Sequence, residues 1–231
     1  MKGFKFFTLK KRNVFIVLLC IFVLMSCCVS YFTVKTISSP KQIYCIVIDA
    51  GHGGRDGGCE GDSGVTESEL NLKYARRLAK LCEEFGMRVV LTRKDMNGLY
   101  DENATNKKKS EMEKRRKIIN ESGGDIMVSI HMNSFPLSSC EGACVFYAKG
   151  SERGFDLAKS VQKSVCGNFS NARNYVSVGD YYVLNFSNIP SILIECGFLS
   201  NPVEEKLLQD DDYCEKFCYS ILSGIIGYFQ F

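Results

Sequence analysis

Residues 43–49 read IYCIVID, residues 67–86 read ESELNLKYARRLAKLCEEFG, and residues 87–92 read MRVVLT. The first is a short apolar run of strand length, rich in β-branched residues. In the second, Leu70, Tyr74, Leu78 and Leu81 recur at helical spacing and Gly86 stops the pattern. The third is strand-like again. Further along, residues 94–109 are polar and read as a loop, and Ser110–Ser122 reads as a helix closed by Gly123 and Gly124. Asp125–Ile130 is a third strand, Gly142–Tyr147 a fourth, Glu152–Phe169 a helix, and Ser191–Ile194 a buried strand after Pro190. Residues 203–229 hold one or two more helices. This alternation predicts a single α/β domain over residues 43–231, with a central, mostly parallel sheet flanked by helices on both faces.

Upstream, residues 14–32 read VFIVLLCIFVLMSCCVSYF, 19 positions without a charge. As a helix that run spans ~28 Å, close to a hydrocarbon core of about 30 Å. Residues 1–13 form a basic tail, with Lys2, Lys5, Lys10, Lys11 and Arg12 and no acid, which would stay cytoplasmic. The expectation is an N-terminal membrane segment at 14–34. It reads as a transmembrane signal anchor, a cleaved signal peptide, or a lipoprotein signal using Leu24-Met25-Ser26-Cys27; no clean A-x-A cleavage site supports the second. Each fate puts the remaining chain outside the cytoplasm, with the membrane as a partner. Residues 35–42 (KTISSPKQ), polar and broken by Pro40, read as a linker.

The chain has 231 residues, 45% hydrophobic and 24% charged, enough to bury a core. With five of the 29 lysines and arginines in the tail, the body carries 24 against 26 acids. A near-neutral body argues against a nucleic-acid partner. The 12 cysteines show no CxxC pair and no close-spaced framework, which argues against a structural zinc knuckle and marks most of them as small buried hydrophobes. So many thiols outside the cytoplasm point to a poorly oxidising exterior.

Only two histidines occur, and both follow strands: His52 in VIDAGH and His131 in VSIH. A third strand, ILIE, ends in Glu195. Ligand sites in open α/β sheets lie beyond the carboxyl ends of strands, so three ionisable groups at one edge outweigh a purely structural role for each. The loop GGRDGGCEGDSG after His52 lacks the third glycine of a dinucleotide fingerprint, because Asp56 stands there, and no Walker lysine follows. It reads as a flexible turn or as a mobile lip beside His52. Glu67 and Glu69 open the first long helix, where acids also favour the macrodipole. Two histidines and a glutamate, with one position open to water, form a catalytic zinc set, and a further carboxylate beside them accepts a proton.

Four motifs in order, VIDAGHGGRDGG (47–58), ESELNL (67–72), DIMVSIHMNS (125–134) and SILIECGFLSNPVEEKLL (191–208), resemble the zinc-dependent N-acetylmuramoyl-L-alanine amidases of the Amidase_3 type. The resemblance covers nearly all of residues 43–231. The compact form, without wall-binding repeats, is similar to the germination-specific spore-cortex subgroup. The resemblance implies one zinc ion (Zn2+) per domain on His52, Glu67 and His131, with Glu69 as the helix-face neighbour and Glu195 as the catalytic glutamate. Asn133 and Arg115 match recurring positions, with a backbone hydrogen bond and a helix-surface charge as their plainer roles. Ala50 departs from the proline usual before Gly-His.

The implied reaction is hydrolysis of the amide between the lactyl group of N-acetylmuramic acid and L-alanine. Peptidoglycan is then the partner, at the outer face of a bacterial membrane, in the wall or in the spore cortex, and a need for an activating protein stays open. Two other classes also stay open: a zinc peptidase cutting within the stem peptide, and a non-catalytic wall-binding homologue, against which Glu195 argues. A basic cluster at 107–109 and 114–117 reads as a solvated face or as a contact for an anionic wall polymer or partner protein. Tyr175, Tyr181 and Tyr182 read as strand packing or as the flank of a glycan cleft.

Overall fold

The structure is a computed structural model that describes the backbone of residues 11–37 and 43–230, with side chains over 12–27 and 43–230. The chain divides into two compact units, Met1–Gln42 and Ile43–Phe231. In the first, helix α1 (Lys11–Ile37) contains the uncharged run. Among the described residues, however, no helix is long and apolar enough to cross a membrane, which corrects the membrane segment expected at 14–34. Most of the basic tail (1–10) and most of the linker (38–42) lie outside the described residues.

The second unit is built on one sheet. Strands β1 (Cys45–Ala50), β2 (Arg88–Leu91), β3 (Ile126–Asn133), β4 (Cys144–Tyr147), β5 (Ser177–Val178) and β6 (Ser191–Phe198) lie in the order β2-β1-β3-β6-β4-β5. β1 is parallel to β2 and β3, and β3 is parallel to β6, but β4 runs antiparallel to β6. β4 and β5 are again parallel, so the sheet is mixed but mostly parallel, with one antiparallel junction at β4–β6. Its cause is the connection between β3 and β4, residues 134–143, which contains no helix. A parallel return needs a crossover of about a dozen residues or more, so this shorter link re-enters from the same edge.

Side-chain alternation sends the two faces to different helices. Ile46, Ile48, Ile126, Val128, Ile130, Ile192 and Ile194 share one core with α2 (Glu67–Glu84), α4 (Glu152–Asn168) and α7 (Asp211–Phe229), through Tyr74, Leu78, Leu157, Val161, Phe217 and Ile221. Short α6 (Pro202–Gln209) adds Leu208 to that side. Val47, Met127 and Leu193 point the other way, onto Ile119 of α3 (Lys107–Glu121) and Val183 and Leu184 of α5 (Tyr182–Asn185). Each large side chain so buried contributes about 1.5–3 kcal/mol.

Three boundaries matter for the site. At the start of α2, the Thr66 side chain accepts from the Glu69 N–H while the Glu69 carboxylate accepts from the Thr66 N–H, a capping box that fixes Glu67 in the first turn. α3 begins earlier than the polar sequence suggests, because Asn106 caps it by accepting from the Lys109 N–H at 2.9 Å. β3 and β6 both run beyond Ile130 and Ile194, so His131 and Glu195 lie inside the strand ends, opposite one another.

Candidate active site

His52 ends the turn that follows β1. It is the one non-glycine residue with a positive φ, 58°, among those described. That conformation is uncommon for a side-chain-bearing residue and needs outside support. The support is a pair of buried arginines. Arg115 donates to the carbonyls of Ala50, at 2.8 Å, and His52. Arg93 donates to those of Ala50 at 3.0 Å, Gly51 at 2.9 Å and Ser68 at 2.8 Å. Arg115 is thus a clamp on the histidine turn, not the helix-surface charge that the sequence suggested. Gly51 has its own necessity: a Cβ there would lie 2.3 Å from the His131 ring.

The structure brings His52, Glu67 and His131 together. Glu67 Oε1 lies 3.2 Å from His52 Nε2 and 2.9 Å from His131 Nδ1. One ligand atom from each residue falls within 4.8 Å of the others. Asn71 Nδ2 and the Met132 N–H also reach Oε1, at 3.2 and 3.3 Å, and the Cys59 N–H donates to Oε2 at 3.1 Å. Two imidazoles and a carboxylate converging from three elements form a donor set compatible with zinc. Burial opposes the Glu67 charge, but the two histidines outweigh it and hold the carboxyl well below its usual range. Burial likewise opposes a charged His52, and hydrogen bonds with Glu67 and Asp56 overcome it and raise its pKa.

Glu195 stands at the same sheet edge, 7% exposed. Burial first, then the nearby Glu67 charge, pushes its pKa up to about 7 against the opposing pull of His131 and His52. Among the described residues its buried Oε2 has no hydrogen-bond partner. A buried carboxylate oxygen left open at a reactive edge is where an incoming polar group gains most.

Several contributors escaped the sequence reading. Asp56, read only as a break in a glycine pattern, accepts from His52 Nδ1 through Oδ1 at 2.9 Å, while Lys108 pairs with its other oxygen. The signal was the i, i+4 spacing from His52. Those partners hold the Asp56 pKa down at about 2, although burial acts the other way. The glycine loop is no open lip: Gly53 and Asp56 exchange backbone hydrogen bonds at 2.8 and 3.2 Å, and Glu67 and Ser68 N–H groups donate to Cys59 and Gly57 carbonyls at 2.8 and 2.9 Å. Arg93 ends the β2 region in a charge, the same cue that singled out the histidines. Asn133 turns its side chain to the Ser134 N–H at 2.8 Å. Of the three tyrosines, Tyr181 packs edge to face on Phe146 of β4, whereas Tyr175 and Tyr182 are exposed.

Comparison with known proteins agrees with this geometry. A family model described as N-acetylmuramoyl-L-alanine amidase (Amidase_3) matches residues 46–227. The germination-specific N-acetylmuramoyl-L-alanine amidase of Bacillus subtilis (strain 168) is 34% identical over 199 residues, covering 84% of each chain. The CwlD amidase of Clostridioides difficile, solved in complex with the GerS lipoprotein, superimposes with a TM-score of 0.77 at 38% identity, over 81% of this chain and 98% of that one. An N-acetylmuramoyl-L-alanine amidase from Clostridium difficile 630 follows at TM-score 0.73 and 31% identity, over 81% and 97%. With the family model spanning nearly the whole second unit, the chain belongs to the Amidase_3 family of N-acetylmuramoyl-L-alanine amidases, hydrolases of the amide bond between N-acetylmuramic acid and L-alanine in peptidoglycan.

Proposed function

We propose that this amidase holds zinc on His52, Glu67 and His131, uses Glu195 as its proton-transfer group, and acts on spore-cortex peptidoglycan. The observation that carries the chemistry is the convergence of the three ligand atoms within 4.8 Å, beside a buried Glu195 oxygen without a partner among the described residues. Zinc bound there would supply Lewis-acid polarisation of the scissile carbonyl and acidify the attacking water. Glu195 takes one proton from that water as its oxygen joins the lactyl carbonyl carbon. It returns the proton to the L-alanine nitrogen as the C–N bond breaks, leaving a lactyl carboxylic acid and a free amine. A carboxylate raised to about 7 is matched to both halves of that exchange near neutral pH. Arg115 and Arg93 hold the His52 turn throughout.

The cortex assignment is supported by the germination-specific relative and by the likeness to the CwlD amidase. Because that amidase is seen with a lipoprotein, we infer a protein partner for this chain as well, at the cell wall where its substrate lies.

The test is digestion of cortex and vegetative peptidoglycan, with analysis of the new amine. Free N-terminal L-alanine is expected, with cortex cut faster; any other new terminus would point to cleavage inside the stem peptide. Glu195→Gln should lose ~10²–10⁴-fold in rate while keeping zinc and its unfolding temperature. His131→Ala should lose most of the metal. Near-normal turnover of Glu195→Gln removes the assigned role, and zinc loss in that variant would move Glu195 into the ligand set.

A further inference from the structure

We infer that Asn71 is a positioning residue for the metal centre: its amide ties Glu67 Oε1, the oxygen that both histidines face, to the turn that carries His52, so that the carboxylate is aimed independently of the metal. That role presupposes that His52, Glu67 and His131 hold the zinc.

Asn71 stands one turn beyond Glu67 on α2, and the i, i+4 spacing puts both side chains on one face of that helix. It is 0% exposed. Past Ser68, every other buried residue of α2 is hydrophobic, so an amide at this depth calls for a reason. Its Nδ2 donates to Glu67 Oε1 and to the Gly51 carbonyl, each at 3.2 Å. Both neighbours are acceptors, which fixes the amide with its nitrogen towards them; turned over, it would set three oxygens together. One acceptor belongs to a ligand, and the other immediately precedes His52 with its φ of 58°.

The remaining contacts of Glu67 show what the amide adds. Oε1 also lies 3.2 Å from His52 Nε2 and 2.9 Å from His131 Nδ1, but an imidazole nitrogen that ligates a metal cannot donate to a carboxylate at the same time. Contacts that do not compete with the metal are the Met132 N–H on Oε1 at 3.3 Å, the Cys59 N–H on Oε2 at 3.1 Å, and Asn71. Of these, Asn71 alone is a side chain. The fold can do without it. If the amide is removed, the Gly51 carbonyl keeps Arg93 Nη2 at 2.9 Å and Oε1 keeps the Met132 N–H, so neither acceptor is stranded. Among the described residues the Asn71 Oδ1 has no hydrogen-bond partner, a cost that an apolar side chain of the same shape avoids. Packing alone therefore favours leucine here, and the amide serves the carboxylate.

Asn71→Leu keeps the shape and removes both donors. Full-length protein stripped of metal is titrated with zinc in competition with a chromophoric chelator. The zinc dissociation constant of the variant should rise ~10–100-fold, the usual effect of losing a partner that orients a ligand. The metal-free variant should unfold at or above the wild-type temperature. Asn71→Ala adds no bulk and should weaken zinc binding likewise; it carries the test if leucine does not fit. Wild-type zinc affinity in either folded variant would overturn the inference. So would a metal-free unfolding temperature lowered in both variants alike, which makes Asn71 a residue of the fold and not of the metal centre. Failure of the parent reading looks different: wild-type protein would then take up no zinc, or His131→Ala would bind it as tightly as wild type.

Discussion

Asp49 and Arg115 pair beneath the histidine turn and set the site from there, at 1% and 3% exposure between β1 and α3. Asp49 takes Arg115 and Thr92 on Oδ1 and Ser129 on Oδ2. Burial would raise its pKa, but the Arg115 charge and those hydroxyls overcome burial and hold it below the ordinary 3.8. Its folded pKa is therefore lower than its unfolded one. The stability it contributes is present above about pH 4 and is lost as pH falls through the folded value. Asp49→Asn should cost about 1.5–3 kcal/mol at pH 7, because it removes one of the two carboxylates paired with buried Arg115, the other being Glu111 at 2.9 Å. The difference from wild type should shrink in acid. Denaturant unfolding of both proteins at pH 7 and pH 3 measures this; a constant gap would show that the Asp49 charge does not carry the effect. None of this was legible beforehand. Arg115 sits among seven lysines and arginines at 107–109 and 114–117, and composition alone does not show which of them faces inward.

Glu204 shows how the elements are joined around the site. It lies in the first turn of α6, and its carboxylate accepts from the N–H of Phe198 at 2.7 Å, the N–H of Gly142 at 3.0 Å and Asn171 Nδ2 at 2.8 Å. One side chain thus ties the end of β6, the entry to β4 and the segment after α4. Glu204→Ala leaves two buried N–H groups unsatisfied and should cost about 1–3 kcal/mol for each. Melting temperature checks this, and an unchanged value would mean that water replaces the carboxylate. Elements were legible in proportion to their length. α2 and α4 reveal themselves by helical spacing and β1 by its apolar run. β5 and α5 have two and four residues, too few to show a period, so the segment around Tyr181 went unread. The reversal of β4 was hidden for a related reason: strand direction depends on the route of a connection, and residues 134–143 carry no pattern that states it. His52, Glu67, His131 and Glu195 stood out because each interrupts or opens a regular element with a charge.

At the scale of the molecule, the unit Ile43–Phe231 is closed by its own ends. Tyr44, before β1, stacks on Phe229 of α7 with ring centroids 3.8 Å apart and planes 13° apart. α7 also packs on α4 and α2, burying Phe217, Ile221, Leu222 and Ile225. Among the described residues every cysteine is a free thiol, so no covalent link substitutes for this closure. A chain starting at Lys41 should therefore fold, bind zinc and cut peptidoglycan at the full-length rate, because it keeps both halves of the stack and the whole core. Ending the chain at Asp210 should abolish folding. Four large side chains at about 1.5–3 kcal/mol each amount to about 6–12 kcal/mol, comparable with the ~5–15 kcal/mol that holds a domain together. Their loss also bares Leu157 and Val161 to water. Circular dichroism and thermal unfolding of the two truncated chains, with a thiol count on the first prepared without reductant, decide the matter. Aggregation of the 41–231 chain where full-length protein stays folded would show that residues upstream of Lys41 belong to the fold, and a thiol count far below the cysteines present would replace packing by disulfides as the source of closure.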